Sequence, residues 1–164
     1  MNKAYIPVIF IGAIALLFIS LIVAVIVLPI QPELVTSVVQ TEKPTVGITL
    51  YAGELSESKY GYGFTADNLT SPGPLLRFKT TDIVQLTFIN IGRQPHGFLI
   101  TDAPRLGSNP FFNAVTGSAE KPVYPGQKST IIFHPERTGS YFYISPVRDD
   151  INLGMWGDVQ VPIN

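Results

Sequence analysis

The chain has 164 residues, only 14% of them charged, and a formal net charge of −1. With no basic run and no interleaving of aromatic and basic residues, it lacks the electrostatic footprint of a nucleic-acid-binding protein. It contains no cysteine, which excludes disulfides, thiolate metal ligands and cysteine nucleophiles together.

From Ala4 to Ile30 there is no charged residue, and Ile, Val, Leu, Ala and Phe dominate the run. A helix needs about 20 such residues to cross a bilayer core, so residues 4–30 are expected to form an uncleaved transmembrane helix. A secretory signal would instead carry an apolar region of roughly 7–15 residues ahead of small residues at a cleavage site. Lys3 and the N-terminal amine precede the run, whereas Gln31, Pro32 and Glu33 follow it. The excess of positive charge before the span favours a cytoplasmic N-terminus. The expected location is therefore the cell membrane, single-pass, with the rest of the chain extracytoplasmic. All 12 acidic residues, and every basic one except Lys3, fall after the span. So sparse a charge is altered little by strong acid, which points to an acidic exterior.

Residues 31–43 mix Pro, Thr, Ser and charge without helical periodicity and read as a linker to a domain over residues 44–164. Along that domain come VGITLYA, LLRFKT, DIVQLTFIN, HGFLIT, KSTIIFH, SYFYIS and WGDVQVPI, separated by turn-forming clusters such as SPGP, NIGRQP, APRLGSNP and YPGQ. About seven short strands with this spacing predict an all-β antiparallel sandwich or barrel. No segment after residue 30 shows a persuasive helical stripe, although Phe111 to Thr116 has room for one turn of helix. In SYFYIS, Tyr141 and Tyr143 fall on one face and Phe142 and Ile144 on the other, because strand side chains alternate. A strand apolar on both faces is either central in a sheet or covered by a partner.

Two segments carry a family resemblance. SPGPLLRFKTTDIVQLTFINIGRQPHGFLI (71–100) resembles the cupredoxin pattern of a Pro-Gly-Pro turn, two strands, and a His followed by Gly and Phe. PGQKSTIIFHPERTGSYFYIS (125–145) resembles the strand pair leading to the copper-binding Cys of those proteins. The resemblance implies a cupredoxin-like Greek-key β-sandwich, and the closing loop is similar to that of sulfocyanins and rusticyanins. In such relatives a His follows the Cys by five residues and a Met by ten. Matched to that pattern, His96 takes the first ligand position and Met155 the last, while Ser145 replaces the Cys and Asp150 the second His. A blue copper site needs a thiolate and two imidazoles, with the thioether a weak fourth ligand. These four are therefore expected to be vestigial ligand positions with no metal bound.

Several further residues stand out. His96 has two readings, a structural residue hydrogen-bonded at the end of the sandwich or a ligand shared with Asp149 or Asp150. His134, before a proline, reads as a strand-end residue. Arg148, Asp149 and Asp150 form a charged patch bordered by Met155 and Trp156. It is either a solvated turn or, with Arg148 and Trp156 as anchors, a subunit interface. Asn68-Leu69-Thr70 is a glycosylation sequon. No zinc-protease motif, nucleophile elbow or phosphate-cradling loop occurs.

The resemblance extends to subunit II of haem-copper oxidases, an extracytoplasmic cupredoxin domain on an N-terminal anchor. The quinol-oxidase version loses the metal and keeps the fold. The expected function is a metal-free, non-catalytic subunit II of a terminal quinol oxidase, of the archaeal kind. It would hold no cofactor itself, and haem and copper would lie in the catalytic subunit beside it. The alternative is a membrane-anchored, copper-less, sulfocyanin-like binding module, or an accessory subunit of another quinone-linked oxidoreductase.

Overall fold

The computed structural model describes residues 42–163. The expected span at 4–30 and nearly all of the 31–43 linker lie outside the described residues. Among the described residues no helix is long and apolar enough to cross a membrane.

Nine strands make up the domain: β1 (Val46–Ser56), β2 (Lys59–Gly63), β3 (Leu76–Arg77), β4 (Val84–Asn90), β5 (Phe98–Thr101), β6 (Val115–Thr116), β7 (Lys128–Phe133), β8 (Gly139–Ile144) and β9 (Trp156–Val161). They form a four-stranded sheet in the order β2-β1-β4-β7 and a five-stranded sheet in the order β3-β9-β8-β5-β6. The alternation that predicts a sandwich is plain in β4, where Val84, Leu86, Phe88 and Asn90 are buried and Gln85, Thr87 and Ile89 are half-exposed. Facing them across the core are Phe98, Ile100, Tyr141, Tyr143 and Val159 of the second sheet. Apolar side chains from both sheets thus exclude water from one shared layer.

Three expectations need correction. The sandwich is not wholly antiparallel, because β1 runs parallel to β4 and β3 parallel to β9. Nine strands form where about seven were expected: β2, KYGYG, lies outside the runs read as strands, yet Tyr62 within it is fully buried. Gly61 and Gly63 are needed there, because a Cβ on either would strike the backbone of Thr70 or Asn68. No helix forms near Phe111. Instead Phe112 and Asn113 take positive φ of 59° and 53°, and Val115–Thr116 pairs with β5 as a two-residue strand.

Strand β8 is central, bonded to β9 on one side and β5 on the other. Its inner face gives Tyr141 and Tyr143 to the main core. On the outer face Ile144 packs with Leu99, Ile151 and Trp156, so the loop that follows β8 covers it. That loop, residues 145–155, and the segment 91–97 before β5 close one end of the sandwich.

Candidate functional site

The end of β8 and the start of β5 bring three of the four matched positions into direct contact, 96, 145 and 150. The Ser145 hydroxyl donates to Asp150 Oδ2 at 2.5 Å, and the same oxygen lies 2.9 Å from His96 Nδ1. All three residues are buried. With Nδ1 protonated, one carboxylate oxygen accepts from both hydroxyl and imidazole. Ser145 Oγ in turn accepts from the Gly97 N–H at 3.0 Å. Gly97 can sit there only as glycine, since a Cβ would fall 1.8 Å from the Gly117 carbonyl oxygen. The His-Gly-Phe run therefore places imidazole, close backbone approach and core aromatic in succession.

The 145–155 loop is fixed from within. Met155 N–H donates to the Asp150 carbonyl at 2.9 Å and Ser145 N–H to the Met155 carbonyl at 3.1 Å. Met155 is fully buried and belongs to the main core. Arg148, at the outer tip, is exposed, has a φ of 48° and reaches Gln94 at 3.4 Å. Asp149 accepts from the Asn152 side chain at the surface and is not part of the buried group. Trp156 is half-buried on the outer face, with its ring edge-to-face on Phe142 at 6.3 Å. The structure thus keeps Arg148 at the tip and Trp156 on the flank of the loop.

Two residues that sequence reasoning missed complete the surroundings of His96. Glu54, near the end of β1, receives the N–H groups of Arg93 and Gln94 at 2.8–3.0 Å. Its Oε1 lies 3.7 Å from His96 Nε2, which has no hydrogen-bond partner. Burial raises the pKa of Glu54, but the backbone hydrogen bonds and the neighbouring His96 outweigh it and hold the carboxyl below its usual value. Asn90, fully buried, donates to the carbonyls of Gln94 and Val123 and accepts from the Gly92 N–H. Neither residue sits in a motif, and only the folding of β1 beside β4 brings Glu54 to His96. Tyr60 closes the site with its ring edge-to-face on the imidazole, centroids 5.4 Å apart. Tyr62 donates to the Gly97 carbonyl at 2.8 Å. Its hydroxyl is pushed well up in pKa by burial and then by the charge of Asp150.

His134 lies just after β7, half-exposed, 3.3 Å from Glu42, and far in role from the buried group. A cleft of about 590 Å³ is lined by Phe111, Phe112, His134 and Arg137; it does not include any of the matched positions.

Solved structures place this fold. The chain is similar to a multicopper oxidase from Pseudomonas thermotolerans (TM-score 0.55, 19% identity, 73% of this chain and 30% of that one). It is similar as well to a copper nitrite reductase from Nitrosomonas europaea (TM-score 0.53, 23% identity, 71% and 41%). A methionine-to-leucine variant of rusticyanin matches at a TM-score of 0.50 and 21% identity, over 70% of this chain and 76% of that one. The domain therefore has the cupredoxin fold. It spans less than half the length of the two oxidoreductases. No family model matches the chain, and no curated protein does.

Two of these similar structures are copper oxidoreductases, and the donor set tests whether a blue copper centre fits here. Ser145 offers a neutral hydroxyl where a soft thiolate is required, and Asp150 offers a hard carboxylate where an imidazole is required. The His96 nitrogen nearest these groups, Nδ1, is already bonded to that carboxylate. The residues do not fit blue copper. Among the described residues no group of three His, Asp or Glu side chains is placed to hold another metal.

Proposed function

We propose that this chain is the copper-free subunit II of a membrane terminal quinol oxidase. Its cupredoxin domain lies outside the cytoplasm and docks on the catalytic subunit that carries haem and copper. The observation that carries the reading is the double acceptance at Asp150 Oδ2, from Ser145 at 2.5 Å and His96 at 2.9 Å. Loss of copper by simple decay would leave buried polar groups unpaired, each costing about 1–3 kcal/mol. Here the two replaced positions instead bond to each other and to the retained histidine. The end of the sandwich keeps its shape with a hydrogen-bonded brace in the place of a metal.

Such a domain carries no electrons. Quinol is oxidised in the membrane and the electrons run through the haems of the partner, so a rigid docking surface suffices. The 145–156 loop and the 93–96 turn form that surface. Arg148 is exposed at its centre and Trp156 is at its edge, residue types that anchor interfaces.

The test is to solubilise native membranes, purify the chain through a C-terminal tag and record the reduced-minus-oxidised visible spectrum of what accompanies it. Haem bands with quinol oxidase activity are expected. A colourless, haem-free preparation would instead favour the anchored binding module.

A further inference from the structure

We propose that Asn68 is an N-glycosylation site and that its glycan shields exposed apolar side chains beside the edge of the four-stranded sheet. The inference rests on the extracytoplasmic placement of the domain. Asn68-Leu69-Thr70 is the only Asn-x-Ser/Thr triplet with a non-proline centre in the sequence. It falls in the turn after β2, where Asn68 and Thr70 are both exposed.

The position has a physical rationale. Strand β2 is an edge strand, and an edge offers unpaired backbone groups to other chains. The sequon segment already folds back over it. Thr70 N–H donates to the Tyr62 carbonyl at 2.8 Å and Tyr62 N–H to the Thr70 carbonyl at 3.1 Å. Leu153 supplies a further carbonyl to Tyr60 N–H at 2.8 Å. Beside this cover lie Phe64, 49% exposed, and Leu75, 43% exposed. Both line a groove of about 390 Å³ with Ile48 and Arg77. A glycan on Asn68 would shield these apolar side chains, while the 145–156 loop stays open for docking.

The chemistry is a group transfer from a polyprenyl-phosphate-linked oligosaccharide. A bond forms from Asn68 Nδ2 to C1 of the first sugar, and the C1–O bond to phosphate breaks with its electron pair leaving on the phosphate oxygen. The amide gives up one proton. Thr70 fits the hydroxyl position of the sequon, and its backbone pairing does not use the side chain.

Trypsin cuts after Lys59 and Arg77, so residues 60–77 form one peptide with this one sequon. In protein purified from its native membranes, that peptide is expected to be heavier by whole sugar residues. Asn68→Gln and Thr70→Ala should each return the bare mass, and Thr70→Ser should keep the modification. A bare wild-type peptide overturns the proposal. Asn68→Cys then tells why, because it would be the only thiol in a cysteine-free chain. Labelling by a membrane-impermeant maleimide in intact cells, beside a bare wild-type peptide, removes the glycan and leaves the external placement standing. Labelling only after detergent opens the cells removes the external placement on which both readings rest.

Discussion

The middle of the sandwich and its closed end are both buried, yet they are held by different forces. In the middle, Phe88, Phe98 and Tyr143 and their neighbours exclude water, and Phe98 and Tyr143 stack with centroids 5.7 Å apart. Burial of this kind is non-directional and tolerates exchange of one apolar side chain for another of similar volume. At the closed end, Ser145, Asp150 and His96 are just as inaccessible, but each depends on the exact placement of a partner atom. A directional network loses most when a single member is removed, since the others are left buried and unpaired. The difference implies that positions 96, 145 and 150 should tolerate replacement only as a set.

Removing Asp150 gives the largest expected effect. Asp150→Ala leaves the His96 and Ser145 side chains without their shared acceptor and should destabilise by about 2–6 kcal/mol, roughly 1–3 for each buried group left unpaired. That overlaps the roughly 3–5 kcal/mol expected for Phe98→Ala in the middle, although far fewer apolar contacts are lost. Chemical denaturation of the two variants checks it, and a loss below about 1 kcal/mol for Asp150→Ala would show the closed end to be ordinary surface.

Replacing the set together sharpens the contrast. Ser145→Cys combined with Asp150→His should yield a protein that binds copper and turns blue, with Met155 and His96 completing the site. Either single replacement should stay colourless on copper titration. A folded double variant that takes up no copper would break the matching of positions 145 and 150 to ligands.

Glu54 makes a smaller and pH-dependent contribution. Its carboxyl is held below the ordinary value of 4.5, so its stabilisation is complete above that value and lost as pH falls through the lower folded pKa. Glu54→Gln should therefore cost about 1–2 kcal/mol near neutrality, with the gap from wild type closing in acid. Melting curves at neutral pH and near pH ~3 decide it, because a gap of equal size at both would assign the loss to packing.

The smallest effect is expected at Arg148. Its positive φ of 48° suits glycine better than arginine, so Arg148→Gly should leave the folded chain as stable or up to about 1 kcal/mol more stable. Co-purification with the proposed haem-bearing partner should weaken. A stability loss with undiminished co-purification would place the role of Arg148 inside the domain, through Gln94.

Sequence alone pointed to the class of fold and to the positions at its closed end to examine. Alternation in VQLTFIN and SYFYIS specifies buried and exposed faces, because the period of a strand is fixed by backbone geometry. Positions 96, 145, 150 and 155 were matched through the resemblance to cupredoxins, and three of them, 96, 145 and 150, meet in the fold. The missing thiolate is a matter of composition, visible before any fold.

Only the tertiary structure decided the rest. The parallel pairing of β1 with β4 depends on which strands meet across the whole chain, and no local pattern encodes it. That pairing carries Glu54 to within 3.7 Å of His96 Nε2, across 42 positions of sequence. Strand β2 was illegible because its glycines serve close approach to Thr70 and Asn68 and form no turn. That Asp150 bonds to both Ser145 and His96, while Asp149 faces solvent, follows from how the 145–155 loop closes on Met155. Residue types limit which bonds can form, and packing selects the ones that do.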